Sequence, residues 1–303
     1  MKHIFVVNPA AGNGLAEKTY LPLIHAAVKE NGAEYEIHRS LNKQEIGEYV
    51  RQRAAEGGQV RFYACGGDGT INDVLCGMFG FGNAELAVMP GGTGNDFAKN
   101  FTGAKALKDV RALMAAGTEP CDVIRYDGGY SINMINIGVD CDVAAEAGRL
   151  KGPLIKGPMA YIAAAARILP HPKYYRLSYE FEGAVREEEL MLCAVANGRF
   201  CGGGFKSAPE ASVNDGLMDV GIVRPVKGAR MLSLLLKYHN GTHLGAKEAE
   251  GVVEYFKCSS FSLYPSCDVD ICVDGEVTRF SGSTFTVLPQ AVRVAVPEGC
   301  SLI

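Results

Sequence analysis

The sequence predicts an α/β protein of two domains: an N-terminal domain with a doubly wound parallel sheet and a larger, mainly antiparallel, β-rich second domain. Three observations support this prediction. Residues 1 to about 122 alternate strand and helix patterns, which is typical of right-handed βαβ units on a parallel sheet. After Pro120 strand patterns dominate, and several alternate polar with apolar residues, as in a sheet with one face in water. The 303 residues, about half of them apolar, suffice for two cores.

Hydrophobic periodicity places the individual elements. In the first domain, strands are predicted at 3–7, 34–38, 59–65 and 85–89, and helices at 15–31, at 42–56, from Thr70 onward and at 104–116. In the second, strands are predicted at 122–126, 130–137, 174–181, 189–196, 218–223, 252–257, 268–273, 285–288 and 292–296, with helical insertions near 158–169 and 228–239. The predicted domains are therefore 1–122 and 123–288, followed by a final segment, 289–303.

The most informative stretch is Gly66-Gly67-Asp68-Gly69-Thr70, which joins a predicted strand to a predicted helix almost without side chains. Two more strands end in loops of this kind, at Asn8–Gly14 and at Pro90–Asp96. Parallel strands deliver the loops that follow them to one edge of the sheet, so the three loops are predicted to converge. Free amides at a helix N-terminus bind anions, and a nucleotide phosphate is the expected guest. Each loop alone can also be explained as a tight turn that needs glycine only for its geometry.

Composition and charge exclude several classes of protein. The formal net charge is −4, with no long run of one sign, which argues against nucleic acid as a main partner. The ten cysteines form no CxxC pair, so free thiols in a reducing cytosol are expected instead of a disulfide framework. The sequence shows no secretory signal, and no apolar stretch reaches the ~18–20 residues that span a bilayer. A cytoplasmic protein is predicted, with any membrane contact peripheral.

The three loops, together with Asp215-Gly216 and Asp274-Gly275-Glu276, resemble the diacylglycerol kinase catalytic-domain superfamily, and most closely its soluble bacterial lipid kinases. The resemblance runs over essentially the whole chain, in the family's order. The GGDGT element alone is shared with NAD kinases and phosphofructokinases, but the NPxxG start, the PGGTGNDFA loop and the late DGE segment make the combination specific. The resemblance implies that residues 289–303 pack back on the first domain and that the active site lies in the cleft between the domains.

The resemblance also implies ATP as the phosphoryl donor, with Mg²⁺. The implied nucleotide contacts are Asn8, Pro9, Ala10, Ala11, Gly12, Ser40, Gly66, Gly67, Asp68, Gly69, Thr70, Ile71, Asn72, Thr93 and Asn95. The chain has no GxxxxGK[ST] motif, so main-chain amides and bound Mg²⁺ would counter the triphosphate charge. Asp68 either forms a turn with its own backbone or has a catalytic, electrostatic role, holding Mg²⁺ or a water that bridges to it.

The segment around Asp215 has two interpretations. By itself, Asn214-Asp215-Gly216 suggests a tight turn. The resemblance implies instead a Mg²⁺ site that uses the Asp215 carboxylate and main-chain oxygens near Ser212 and Leu217. Oxygen donors of this type suit Mg²⁺ or Ca²⁺ and not zinc, and in the family this ion is structural more than catalytic.

The strand that ends in Asp274-Gly275-Glu276 also has two interpretations, of which one is a hairpin turn. The other is catalytic, because phosphoryl transfer to an alcohol requires an acceptor for the hydroxyl proton within roughly 2.6–3.2 Å. It also requires positioning and charge neutralisation. Asp274 and Glu276 are the candidates for the base and its partner, and the sequence does not decide which of them is the base.

The main interpretation is an ATP-dependent lipid kinase that transfers the γ-phosphoryl group to a hydroxyl of diacylglycerol or a related lipid, giving a phosphatidic-acid-like product. One alternative is an NAD kinase or another small-molecule kinase that shares the GGDGT loop. Another is a non-catalytic nucleotide- or lipid-binding regulator on the same fold, against which the intact carboxylates argue.

Lipid access is predicted at the segment Gly148–Pro158, which mixes basic and apolar side chains. Such a segment would place Leu154 and Ile155 in a bilayer while Lys151 and Lys156 meet anionic headgroups at the inner face of the membrane. An ordinary surface loop is the alternative. The oligomeric state, a homodimer included, is left open.

Overall fold

The computed structural model describes residues 1–40, 43–150, 158–181 and 183–303. The chain forms two compact units, one of Met1–Val123 with Pro289–Ile303 and one of Ile124–Leu288. The first contains a parallel sheet, and the second is mainly antiparallel and rich in strands. The predicted fold class, a doubly wound parallel-sheet domain followed by a mainly antiparallel β-rich one, is confirmed.

The first unit contains strands β1 (Lys2–Val7), β2 (Tyr35–Arg39), β3 (Val60–Gly66) and β4 (Ala84–Pro90), and helices α1 (Leu15–Asn31), α2 (Lys43–Ala55), α3 (Asp68–Met78) and α4 (Val110–Ala115). The strands are parallel, in the order β2-β1-β3-β4. Every residue of β3 is buried, as expected for a central strand with helices over both faces. The carboxyl ends of β1, β3 and β4 therefore lie side by side at one edge of the sheet.

The helix predicted at 104–116 is wrong as a single element. Ala104–Lys108 forms a short 3-10 helix, and α4 is a separate helix after it. Asp109 between them has extended backbone angles, and its carboxylate accepts the N–H groups of Arg111 and Ala112 at 2.9 and 3.2 Å. An aspartate that caps a helix in this way starts a new helix, a local effect that hydrophobic periodicity does not detect.

The second unit contains strands β6 (Gly129–Ser131), β7 (Met134–Gly138), β8 (Tyr175–Phe181), β9 (Ala184–Leu190), β10 (Leu192–Ala196), β11 (Met218–Val223), β12 (Val253–Cys258), β13 (Ser260–Pro265), β14 (Val269–Val273) and β15 (Glu276–Phe280). Its helices are α5 (Val139–Leu150), α6 (Pro158–Ile168) and α7 (Gly228–Asn240). Strand β5 (Gly117–Tyr126) begins in the first unit and ends in the second, and β16 (Ser283–Val296) does the reverse.

Two antiparallel sets of strands form the second unit. One is a six-stranded sheet with the order β12-β11-β10-β7-β14-β15. The other pairs β9 with β8, β8 with β13, and β13 with the first residues of β16. Ile135, Ile137 and Val195 of the six-stranded sheet share one core with Phe261 and Phe285 of the other set. Each of these five residues is at most 1% exposed, so the two sets of strands bury a common core between them.

Several strands of this unit differ from their predictions. The predicted strand at 130–137 is divided into β6 and β7, and the one at 189–196 is divided into β9 and β10, which pair with different neighbours. Periodicity did not predict α5, β13 or β15. Strand β15 has four exposed residues, from Glu276 to Arg279, so it presents no apolar stripe that a pattern could reveal.

The segment predicted to contact a membrane lies mostly outside the described residues, because 151–157 are not among them. Its side chains that carry the prediction are all in that range: Lys151, Leu154, Ile155 and Lys156. None of the helices in the described ranges combines the length and the apolar character that crossing a bilayer requires.

A buried ion pair joins β3, β4 and the end of α4. Arg61 and Glu85 are each 3% exposed, and the guanidinium donates two hydrogen bonds to Glu85 Oε2, at 2.9 and 2.7 Å. It also donates to the carbonyl oxygens of Leu113 and Ala116, at 2.7 and 2.9 Å. Arg61 therefore satisfies both a buried carboxylate and the carbonyl groups at the C-terminal end of α4, where positive charge is favourable.

Replacing Arg61 with methionine should lower the free energy of unfolding by about 3–5 kcal/mol, because the Glu85 carboxylate would lose its buried partner. Arg293, 3.3 Å from Glu85, is 58% exposed and therefore a weak substitute. Chemical denaturation measures the loss. Arg111→Met is the matched control, since the Arg111–Glu30 pair is 62% and 60% exposed and its loss should cost less than about 1 kcal/mol. Equal losses in the two variants would contradict the role assigned to Arg61.

Candidate active site

The three glycine-containing loops meet at the carboxyl edge of the parallel sheet, as the sequence predicts. The N–H of Gly91 donates to the carbonyl oxygen of Gly66 at 2.7 Å, which joins the third loop to the second. The side-chain amide of Asn8 donates to Thr70 Oγ1 at 3.0 Å, which joins the first loop to the start of α3. Hydrogen bonds between the loops therefore hold the three strand ends together.

Glycine is required where these loops touch. A Cβ atom on Gly92 would lie 2.5 Å from the Cα atom of Gly67, and one on Gly12 would lie 2.5 Å from the carbonyl oxygen of Gly91. Side chains do not fit at such distances, so the loops pack main chain against main chain. Turn geometry alone does not explain these glycines, because they also form a surface that the three loops share.

The start of α3 gives this surface the chemistry of an anion site. Gly67 precedes the eleven-residue helix and has no side chain with which to cap it, so a ligand can take the place of a cap. The helix dipole adds positive potential at this end. Burial raises the pKa of the neighbouring Cys65 thiol and keeps it neutral. All ten cysteines are free thiols, as predicted.

Asp68, in the first turn of α3, links the second loop to the third. Its Oδ1 accepts the N–H of Phe97 at 3.0 Å, and Phe97–Asn100 is a short 3-10 helix that follows the third loop. A Cβ atom on Gly94 would lie 3.2 Å from Asp68 Oδ2, so the carboxylate borders this loop. The structure places Asp68 between two loops, and its role toward Mg²⁺ stays a prediction.

Two predicted nucleotide contacts of the third loop differ in their surroundings. The side-chain amide of Asn95 accepts the N–H of Gly92 and donates to its carbonyl oxygen, both at 2.8 Å. Asn95 itself has a left-handed backbone, with φ +50°, so its side chain closes the loop on itself. Thr93 lies at the tip and is exposed, which leaves its hydroxyl available to a ligand.

The first loop is organised by the side chain of Asn8. Asn8 Oδ1 accepts the N–H of Ala10 at 3.0 Å. The main-chain carbonyl oxygen of Asn8 accepts the N–H of Ala11 at 3.1 Å. Pro9 lies within this turn, and Gly12 follows it with φ +58°. Because the side chains after Asn8 are small, the main chain forms most of the surface that a ligand would meet.

The remaining predicted contacts lie on α3 and beside the first loop. Gly69, Ile71 and Asn72 are in the first turns of α3, and the Ile71 side chain is fully buried. The N–H of Ile71 donates to the Gly67 carbonyl oxygen at 3.1 Å, so the contact of Ile71 with a nucleotide stays a prediction. Ser40, which follows β2, is 4% exposed and donates its N–H to the Val7 carbonyl oxygen at 3.0 Å, so it lies next to the first loop.

In the second unit, a lysine closes the turn that contains Asp215. Lys257 Nζ lies 2.8 Å from Asp215 Oδ2 and 3.5 Å from Asp219 Oδ2, and it donates to the Glu210 carbonyl oxygen at 2.9 Å. Asp215 Oδ1 accepts the N–H of Leu217 at 3.1 Å, so the turn interpretation is confirmed. Asp219 and Lys257 face each other across β11 and β12, a pairing that only the sheet register reveals.

Lys257 offsets part of the negative charge around this turn. Burial raises the pKa of Asp219. Burial opposes the charge of Lys257, but a hydrogen bond to Asp215 and the charges of both carboxylates raise its pKa overall. Two carboxylate oxygens and a carbonyl oxygen suit a hard cation such as Mg²⁺, and an ammonium group fills that position here. The Mg²⁺ site of Ser212, Asp215 and Leu217, which would use one carboxylate and main-chain oxygens, stays a prediction.

Asp274 and Gly275 form the two-residue turn between β14 and β15. Both have positive φ, +47° and +87°, which is the geometry of a type I′ hairpin, so the hairpin interpretation is confirmed. Glu276 is the first residue of β15 and is exposed, whereas Asp274 is 2% exposed. The two candidate carboxylates therefore have different surroundings, and their catalytic roles stay predictions.

The Asp274 carboxylate accepts hydrogen bonds from four donors that run from the last residue of β6 to the first residue of β7. These are the Ser131 hydroxyl at 2.7 Å and the N–H groups of Ile132, Asn133 and Met134 at 3.0, 3.1 and 2.9 Å. Three of these donors share Oδ1, and the N–H of Ile132 binds Oδ2, so the carboxylate is held by both of its oxygens. They also turn these N–H groups away from a strand partner, which explains why the predicted strand at 130–137 is divided.

Gly92→Ala should lower the free energy of unfolding by about 1–3 kcal/mol, because the added Cβ forces the second and third loops apart. Chemical denaturation measures the loss. Gly82→Ala is the control, since a Cβ there meets nothing within 4 Å. Its stability should stay within about 0.5 kcal/mol of the wild type. A Gly92→Ala protein that matches this control would show that the loops do not pack as described.

Two known domain families match this chain, one over most of the first unit and one over most of the second. The diacylglycerol kinase catalytic domain matches residues 2–126, and the YegS C-terminal NAD kinase beta sandwich-like domain matches residues 133–296. A probable lipid kinase YegS-like protein of Alcanivorax borkumensis is 28% identical over 257 residues, which are 84% of this chain and 84% of that one. The diacylglycerol kinase of Bacillus subtilis is 26% identical over 297 residues, 97% of this chain and 95% of its own.

A solved structure shares the fold over nearly the whole length. The crystal structure of a diacylglycerol kinase from Bacillus anthracis covers 97% of this chain and 96% of that chain, with a TM-score of 0.68 and 19% identity. The match to the C-terminal domain family alone spans more than half of the chain, and the match to the catalytic domain contains all three glycine loops. The chain therefore belongs to the diacylglycerol kinase catalytic-domain superfamily.

Proposed function

We propose that this chain is an ATP-dependent lipid kinase, which transfers the γ-phosphoryl group of ATP to a hydroxyl of diacylglycerol or a related lipid. The product would be a phosphatidic-acid-like phospholipid. The observation that carries the proposal is the contact among the three glycine loops at the start of α3, where main-chain amides are gathered. Membership of a kinase superfamily supports the reaction class, and relatives named diacylglycerol kinase support the acceptor.

The phosphate groups of the nucleotide would bind to the main-chain amides of these loops. The sequence offers no GxxxxGK[ST] lysine for this task. Asn8, Asp68 and Asn95 hold the loops in shape, and Thr93 adds a hydroxyl at the tip. Phosphoryl transfer depends on positioning and charge stabilisation more than on covalent chemistry, so a rigid set of amides serves it directly. Bound Mg²⁺ would neutralise part of the triphosphate charge.

The acceptor side of the reaction would use Asp274 and Glu276 as an acidic pair. The acceptor hydroxyl loses its proton, and its oxygen forms a bond to the γ-phosphorus. The bond from the γ-phosphorus to the β,γ-bridging oxygen breaks, and ADP leaves. The proton needs a carboxylate within hydrogen-bond reach, roughly 2.6–3.2 Å. Glu276 offers an exposed carboxylate, and Asp274 fixes the turn on which Glu276 stands.

The lipid would be reached by peripheral contact with the inner face of a membrane. The basic and apolar residues of Gly148–Pro158 support this contact from the sequence, because such segments bind anionic lipid surfaces. A cytoplasmic location and a homodimer stay predictions.

Purified protein with labelled ATP, Mg²⁺ and a total lipid extract should transfer label to a lipid, because the proposed acceptor carries a free hydroxyl. Mass spectrometry identifies the labelled species, and purified diacylglycerol serves as a reference acceptor. Label on NAD in a parallel reaction, with none on lipid, would favour the NAD kinase alternative. Bound ATP without transfer to any acceptor would favour a regulatory protein.

Asp274→Asn and Glu276→Gln should each slow lipid phosphorylation by at least ~10²-fold while leaving the affinity for ATP nearly intact. They should differ in stability. Asn at 274 would turn an NH₂ group toward N–H donors, which should cost at least about 1–3 kcal/mol, whereas the exposed Glu276→Gln change should stay within about 0.5 kcal/mol. Turnover and denaturation are measured on the same preparations. Near wild-type turnover in either variant would exclude that residue from the acidic pair.

A further inference from the structure

Lys99 binds the end of the third glycine loop. It lies in the short 3-10 helix Phe97–Asn100, and its ammonium donates to the Gly94 carbonyl oxygen at 2.9 Å and to Asp96 Oδ1 at 2.5 Å. The Asp96 side chain is 10% exposed and that of Lys99 is 32% exposed. This pair therefore differs from the fully solvated i, i+3 pairs that contribute little.

The contact fixes the direction of two groups in the loop. A carbonyl oxygen that accepts a hydrogen bond from an ammonium points toward that ammonium, so Gly94 does not direct its negative end at a phosphate. The Asp96 carboxylate stands three positions after Thr93, and Lys99 partly cancels its charge. Both effects lower the repulsion that an incoming triphosphate would meet at this loop.

The loop is tied at three successive places. Asn95 closes the tip onto Gly92, and Asp68 holds the N–H of Phe97 beyond the loop. Lys99 binds the segment between these two contacts, at Gly94 and Asp96, and its ammonium group places a positive charge there. Lys99 can therefore hold the conformation of the loop through Gly94 and Asp96, without itself contacting a bound phosphate.

We propose that Lys99 is a positioning residue for the nucleotide, acting through Gly94 and Asp96 to keep the third loop in the conformation that accepts phosphate groups. The proposal rests on the proposed function, because it takes this loop to bind the phosphates of ATP. Lys99 would then contribute to the binding of ATP and would take no part in the chemical step. A purely structural role would instead lower stability and kcat together.

The test compares Lys99→Met and Lys99→Arg with the wild type. Lys99→Met should raise both the KM and the Kd for MgATP at least ~10-fold while kcat stays within about 3-fold, the pattern of a lost binding interaction. The thermal unfolding midpoint should fall by no more than about 2–4 °C, the shift expected when one partly buried ion pair is lost. Lys99→Arg should recover most of the affinity, because a guanidinium also donates to carbonyl and carboxylate oxygens.

Lys105→Met is the matched control, because it removes the same charge from an exposed site in the neighbouring 3-10 helix, Ala104–Lys108. It should leave KM, Kd and kcat unchanged. Equal MgATP affinities of Lys99→Met and Lys105→Met would overturn the proposal. A joint fall in affinity, kcat and unfolding midpoint for Lys99→Met, without rescue by arginine, would overturn it as well.

Direct calorimetric titration with MgATP separates a failure of this proposal from a failure of the proposed function. A wild-type protein that binds MgATP but phosphorylates no lipid would refute the lipid kinase reaction, and the Kd values of the variants would still decide the role of Lys99. A wild-type protein that binds no MgATP would refute both.

Discussion

Main-chain contact between three glycine loops is the constraint on which the first unit depends. Gly12 can lie against Gly91, and Gly67 against Gly92, only if β1, β3 and β4 are neighbours, run parallel and end at the same edge. The anion chemistry follows from the same packing, because loops without side chains expose their amide groups. The fold and the proposed nucleotide surface are therefore two consequences of one steric requirement.

Features with a local or topological origin could be predicted from the sequence. Helix α1 occupies the predicted range 15–31 and β11 the predicted range 218–223, because periodicity and flanking glycines mark them. The convergence of the loops followed from a general property of parallel sheets, which needs no knowledge of individual contacts. The hairpin at Asp274-Gly275 was also predictable, since short polar residues and glycine favour the backbone angles that such a turn requires.

Contacts that depend on long-range register could not be predicted. Ser131 meets Asp274 across 143 positions, and Lys257 meets Asp219 only because β11 and β12 pair in one particular register. No local pattern encodes either partner. Asn95 was expected to contact the nucleotide, and no local pattern indicated that its side-chain amide would bind Gly92 of its own loop. The division of the helix predicted at 104–116 has a local cause instead. The Asp109 carboxylate caps α4 and starts a new helix there, although the apolar periodicity continues through the break.

The position of the buried Arg61–Glu85 pair has a consequence for how this fold diversifies. Arg61 is the second residue of β3 and Gly66 the last, so about 16 Å of strand separates the pair from the glycine loop. The sheet is anchored at its amino-terminal edge, and the proposed nucleotide surface lies at its carboxyl-terminal edge. Insertions or exchanges in the loops can therefore alter what is bound while the anchor keeps the domain folded. Separate edges for folding and recognition would let such a scaffold acquire new substrates in small steps.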